Sequence, residues 1–166
     1  MISDVNFERI SASLGSFLLV WASVERSVRK QVIRVRGAAP HGVGAILARW
    51  EETVIELQPA TSLCPLLASS LCGQLQGPLQ MRNGICHGLE GISAASGVEP
   101  AMLHWELNGQ KHAVTWEDLQ ATLRWLSGLP RAFSVISNPL LEQPGSRGID
   151  NAENREWWRT EFGLSF

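Results

Sequence analysis

Residues 17–36 read FLLVWASVERSVRKQVIRVR, and their periodicity decides the fold class. Phe17, Val20, Trp21, Val24, Val28, Val32 and Val35 recur every three or four positions, a spacing that gathers apolar side chains on one face of a helix. The pattern predicts one long helix from Asp4 to Arg36, ended by the glycine and proline within residues 37–40. Its most apolar part, residues 14–24, stops at Glu25, well short of the roughly 20 residues a membrane span needs. The N-terminus carries Asp4 and Glu8 and lacks a basic segment, so no signal peptide is expected. These readings predict a soluble, cytoplasmic protein with no membrane contact.

Composition agrees with a folded domain. A chain of 166 residues with 45% hydrophobic content can bury a core without disulfides or metals, which excludes a disordered chain. With 18% charged residues and a net charge of -2 there is no broad basic coat for nucleic acid, so any RNA or DNA contact must be local. Cys64, Cys72 and Cys86 are odd in number and form no C-x-x-C pair; the expectation is buried free thiols. Seven Trp accompany no Tyr, which removes every mechanism that needs a phenol.

Outward from the first helix, Ile46, Leu47, Trp50, Val54 and Leu57 mark one face of a second over residues 43–57, closed by Pro59. Thr61 or Ser62 is expected to cap a third, with Pro65 in its first turn. Gly77-Pro78 should break or kink that helix, with a new segment running from Pro78 to about Leu89 and a loose exit at Gly88, Gly91 and Gly97. Leu103, Trp105 and Leu107 then alternate with His104 and Glu106, and Asn108-Gly109 is a favoured two-residue turn. A small hairpin is predicted at about 102–114, with Glu106 opposite Lys111. Thr115 to Asp118 reads as a capping box opening a helix with Leu119, Leu123 and Leu126 inward, continuing past Pro130 to Ile136. Residues 139–151 read as a linker or ordered loop, and 152–163 as a short last helix in which Trp157 and Trp158 cannot share one core. The predicted architecture is an all-α bundle of four to five helices with a small inserted β-hairpin. Residues 1–138 form the main domain, and 139–166 a C-terminal loop and helix packed on it.

The chemistry concentrates in Met81-Arg82-Asn83-Gly84-Ile85-Cys86-His87-Gly88. Asn83 and His87 are four apart and share a helix face; Arg82 and His87 are about 140° apart around the axis, so their long side chains must converge on a groove beside the helix. An Arg followed by Asn, with His four residues beyond the Asn, is expected by chance about 0.01 times in a chain of this composition. Arg36 and His41 repeat the loose spacing, but across residues 37–40, a loop.

This stretch resembles the hallmark of the HEPN superfamily, Arg-Asn, a short spacer, then His-Gly, matched here by Arg82, Asn83, His87 and Gly88. The order of elements to about Ile136 is also similar, with the hairpin inserted after the motif. The resemblance implies a metal-independent endoribonuclease without cofactor, a homodimer whose two motifs line one composite cleft, and an RNA substrate. It suits a prokaryotic toxin, with a protein antitoxin as possible partner, or an antiviral effector. In that role His87 is the general acid or base, its pKa range suiting both proton transfers. Arg82 clamps the phosphoryl oxygens as charge develops, and Asn83 orients the ring or the phosphate. A helix starting at Pro78 would add a favourable N-terminal dipole. Where some family members carry a Tyr that accepts AMP, this chain has Leu89, so that mode of neutralisation is absent.

Other features rank lower. Arg26, Lys30 and Arg34 form a basic stripe at helical spacing that could hold RNA phosphates, or be a solvated face in which Arg29 pairs with Glu25. Glu25 is alternatively an accessory group at the active site. His104 and His112 lack partners at ligand spacing, so no metal site is expected, and Cys86 is expected to be buried. The competing reading is a catalytically inactive HEPN-type module that binds a nucleotide or a protein partner.

Overall fold

A computed structural model describes residues 5–166; the expected helix start at Asp4 lies outside them. The described elements follow in the order α1 (Phe7–Arg36), α2 (Val43–Leu57), α3 (Cys64–Gly88), β1 (Leu89–Ser93), β2 (Met102–Leu107), β3 (Gln110–Thr115), α4 (Trp116–Ser137) and α5 (Ala152–Phe162). The chain is mostly helical, as expected, but not all-α, because the predicted hairpin acquires β1 as a third antiparallel strand in the order β1-β2-β3. No helix among the described residues is long and apolar enough to cross a membrane.

Two compact units form, one from the described residues up to Ala22 with Gly77–Leu126, the other from Ser23–Gln76 with Ser127–Phe166. The units do not follow chain order: α1, α3 and α4 each give one part to each, and residues 139–166 belong to the second.

In the first unit the sheet is the organising feature. β2 and β3 pair in the expected register, with Glu106 opposite Lys111 and Trp105 opposite His112. Asn108 (φ 54°) and Gly109 (φ 76°) turn the chain in the left-handed region, the backbone a type I′ hairpin turn requires. β1 follows α3 directly and pairs with β2 through a bulge between Leu89 and Gly91; of the glycines read as a loose exit, Gly88 ends α3, Gly91 lies in β1 and Gly97 turns the chain at φ 60°. Leu103, Trp105 and Val114 are buried, as are Phe17 and Trp21 of α1, Leu79 and Ile85 of α3, and Leu119 and Leu126 of α4. Ser13 of α1 accepts hydrogen bonds from Trp116 Nε1 and Gln120 Nε2. Thr115 Oγ1 caps α4 by accepting from the Asp118 N–H at 3.1 Å, as the capping pattern predicts.

In the second unit, Val24, Val28 and Val32 of α1, Ile46, Leu47, Trp50 and Val54 of α2, and Leu67, Leu71 and Leu75 of α3 are buried. Phe133 meets Trp50 edge-on at 4.6 Å, and Trp50 Nε1 donates to Ser137 Oγ at 2.9 Å. The wheel drifts at its ends: Val35 and Leu57 are exposed, while Thr53 is buried. α5 begins at Asn151, whose side chain accepts from Asn154 N–H, and stops at Gly163 in the left-handed conformation. Trp158 is fully buried, whereas the half-buried Trp157 lies under the guanidiniums of Arg131 and Arg147.

Two expectations are corrected. Of the break or kink expected at Gly77-Pro78, the break does not occur: α3 contains Pro78 and runs unbroken to Gly88. A proline inside a helix removes one hydrogen bond and crowds the preceding turn, at about 3 kcal/mol. Leu71, Leu75, Leu79 and Ile85, buried on both sides of it, hold the helix through, since each such side chain contributes about 1.5–3 kcal/mol. Nor does Thr61 or Ser62 cap α3: the Ser62 hydroxyl donates to Pro59 O at 2.8 Å, and the Leu63 N–H is taken by Gly148 O at 2.8 Å. Of the two forms expected for residues 139–151, a linker or an ordered loop, the chain takes the second, tied back to the start of that helix by Leu63 N–H to Gly148 O and a bridge between Ser62 and Ile149.

Candidate functional site

Arg82, Asn83 and His87 all lie in the last two turns of α3, within the first unit. Continuation of the helix through Pro78 puts the motif at its C-terminal end. The expected N-terminal dipole near a phosphate is therefore absent, because the nearby helix end carries the negative pole. Asn83 and His87 share a stripe. Arg82 and Asn83 are half-buried and His87 is exposed. Arg82 Nη1 donates to Asn83 Oδ1 at 3.0 Å, so the amide oxygen holds the guanidinium rather than the imidazole. No hydrogen bond or ion pair holds His87 among the described residues.

Two glycines position this end of the helix. A Cβ on Gly84 would fall 1.9 Å from Trp105 Cδ1, and one on Gly88 1.7 Å from Glu106 O. Only hydrogen at both positions, four apart on one face, lets α3 lie this close against β2. The sheet-facing stripe of Gly84 and Gly88 and the adjacent stripe of Asn83 and His87 are thus set by one contact. In sequence, Gly88 reads as part of the motif and Gly84 as a spacer; both are packing positions.

The remaining candidates fall elsewhere. Arg26, Lys30 and Arg34 are exposed on one stripe of α1 in the second unit, and none has an ion-pair partner among the described residues. Arg29, between them, is committed to Glu25 at 3.1 Å and to Pro40 O at 3.3 Å. Arg36 bonds Thr53 Oγ1 at 3.0 Å and also pairs with Glu56. Glu25 thus has a structural partner, and it belongs to the second unit whereas the motif belongs to the first. His104 bonds Ser93 Oγ at 2.9 Å, and His112 stacks on Trp105 at 5.6 Å and 12°. Among the described residues no group of three or more His, Cys, Asp or Glu could hold a metal ion.

The thiols divide. Cys64 and Cys72 are buried, but Cys86, expected to be buried, is exposed, because α3 turns its Gly84–Gly88 stripe, not position 86, to the sheet. Burial pushes the Cys64 thiol up to about 11. Burial, with Glu51 adding to it, pushes Cys72 up to about 12. Neither is a nucleophile near neutral pH, since the thiolate is the reactive form.

One set of residues was not legible as a site. Gln80 and Met81 of α3, Trp105 and His112 of the sheet, and Thr122 of α4 line a cavity of about 300 Å³ in the first unit. The hairpin register alone puts Trp105 opposite His112, but only the packing of three elements forms the cavity, which opens to solvent at the exposed Gln80 and His112. Compared with protein-family models, with curated proteins and with solved structures, the chain matches none.

Proposed function

We propose that this chain is a metal-independent endoribonuclease of the HEPN type, working as a homodimer, in a toxin or antiviral role. The observation that carries the reading is the Arg82-Asn83-x-x-x-His87 arrangement on one helix end, with an exposed imidazole that no partner among the described residues occupies. Cleavage requires removal of the proton from an RNA 2′-hydroxyl, attack of that oxygen on the adjacent phosphorus, and departure of the 5′-oxygen with a proton. His87 of one protomer takes the first proton and His87 of the second supplies the last, since imidazole serves both roles near neutrality. The P–O5′ bond breaks as the 2′-O–P bond forms, leaving a 2′,3′-cyclic phosphate and a 5′-hydroxyl. Arg82, steadied by Asn83, stabilises the charge on the phosphorane oxygens. Arg26, Lys30 and Arg34 contribute general attraction for the backbone, which salt screens.

A second reading is favoured by the Arg82–Asn83 bond: a guanidinium held by its neighbour is also what an inactive module binding a nucleotide or protein partner would keep. Cleavage of total cellular RNA in EDTA separates the two, using the purified chain beside His87→Ala and Arg82→Ala prepared identically. Loss of cleavage in both variants with oligomeric state unchanged is the expected result. Equal cleavage by all three overturns the site, and no cleavage by any of them favours the binding module.

A further inference from the structure

The cavity beside the motif has a chemistry of its own. One wall is the parallel pair of Trp105 and His112, with the indole fixed by its close fit over Gly84. Pro78, Met81 and Leu107 supply apolar surface, and no charged side chain lines it. Gln80 and Thr122 complete the lining, and neither side chain has an internal hydrogen-bond partner among the described residues. An amide offers two donors and an acceptor and a hydroxyl offers one of each. The volume, about 300 Å³, is at the small end of ligand pockets. Flat aromatic surface, unspent polar groups and no charge suit a neutral, planar heterocycle with a hydrogen-bonding edge.

We infer that this cavity is a nucleobase pocket that reads an unpaired base of the RNA within a few nucleotides of the cleaved bond. The inference rests on the ribonuclease reading for its substrate, but the pocket itself is independent of His87. Gln80, Asn83 and His87 follow one another at spacings of three and four and lie on one stripe of α3. Gln80 precedes His87 by seven residues, about 10 Å along the axis, against about 3.4 Å for one stacked nucleotide. That distance is about three stacked nucleotides, so the base in the pocket belongs to a nucleotide within about three of the scissile phosphodiester. His112 supplies stacking, Gln80 and Thr122 read the edge, and the hairpin is the element that adds base preference to the motif.

The test is binding of four homopolymeric RNA octamers, by fluorescence anisotropy, to the full chain carrying His87→Ala, which keeps the RNA intact. Nucleoside monophosphates serve as competitors. One base is expected to be preferred by about tenfold or more. His112→Ala should weaken binding of that octamer by about ten- to a hundredfold, the range of one base–aromatic stack, and Gln80→Ala by about two- to tenfold, the range of one hydrogen bond; each should flatten the preference. His112→Trp, which keeps a flat ring, should retain it. Weak competition by the matching monophosphate assigns the site to RNA; competition as strong as the octamer's assigns the same base chemistry to a free nucleotide. Octamer affinities and base ranking unchanged in both variants overturn the pocket, as does absence of binding by any octamer or monophosphate. Base-selective binding without cleavage by the parent chain refutes the nuclease and leaves the pocket standing; cleavage with no effect of either variant does the reverse.

Discussion

Gly88→Ala is the sharpest test of how the motif helix is held. An alanine Cβ at this position would lie 1.7 Å from Glu106 O and 2.9 Å from Glu106 C. A carbon normally approaches a carbonyl oxygen to about 3.3–3.6 Å, so helix and strand must part by about 1.6–1.9 Å. The obstacle is backbone within a paired strand, which cannot swing aside as a side chain can. Overpacking of this kind typically costs 1–3 kcal/mol, and Gly88 ends its helix, where the intrinsic gain of alanine over glycine falls short of its mid-helix value of about 1 kcal/mol. Gly15→Ala is the matched control: Gly15 is inside α1, in the same compact unit, with nothing within 4 Å of its Cβ position, so that gain stands alone. Urea denaturation with thermal melting should show Gly15→Ala more stable by up to about 1 kcal/mol. Gly88→Ala should be less stable by about 1–3 kcal/mol, a fall in Tm of roughly 2–12 °C for a chain of this size. A Gly88→Ala protein as stable as the parent would refute the close approach of α3 to β2, and with it the argument for what places His87.

Four further outcomes follow from contacts elsewhere. One thiol, Cys86, should react promptly with Ellman's reagent in the native protein and three in denaturant; prompt reaction of a second would contradict the burial of Cys64 and Cys72. Those two thiols, raised from 9.0 to about 11 and about 12, stay protonated in the fold while unfolded thiols ionise, so their contribution is intact below pH 9 and declines from there to about pH 12. Urea titrations at pH 8 and 10.5 should show the fall, and Cys64→Ala with Cys72→Ala should flatten it, whereas an identical slope would sink the assignment. Asn154→Asp should destabilise by about 1–3 kcal/mol, because the buried amide nitrogen donates to both Ser146 O and Ile149 O at 2.9 Å and a carboxylate would turn an acceptor toward them; a neutral result in chemical denaturation would show that the loop does not depend on it. Ser137→Ala should cost about 1 kcal/mol or more by stranding Trp50 Nε1, measurable by the same titration, and no loss would mean the indole finds another acceptor.

Local rules in the sequence were sufficient for α2, for the start of α4 and for the hairpin. α2 spans the residues its periodicity indicates, α4 starts at its capping threonine, and the hairpin turns at Asn108-Gly109 in the register that pairs Glu106 with Lys111. Each depends on contacts a few residues apart, and those are written in spacing and turn chemistry. The motif residues were legible in the same way, because Arg82, Asn83 and His87 are one short segment.

Tertiary packing decided the rest. Local chemistry makes Pro78 a helix breaker, yet α3 passes through it, because buried leucines before and after it outweigh one lost hydrogen bond. The glycines after the motif look like a loose exit, yet Leu89–Ser93 become a strand because β2 offers an unpaired edge. Cys86 inside the motif gives no sign of its exposure, and Gly84 none that an indole lies over it. The cavity of Gln80, His112 and Thr122 combines a helix, a hairpin and a second helix distant in sequence. Sequence alone determined the span of α2, the cap of α4, where the hairpin turns and that Arg82, Asn83 and His87 share one short segment, since short-range sterics and hydrogen bonding govern these. Which faces meet, which side chains remain open to solvent and where a ligand can enter came only from the tertiary structure, because burial is a property of elements packed together and no segment carries it by itself.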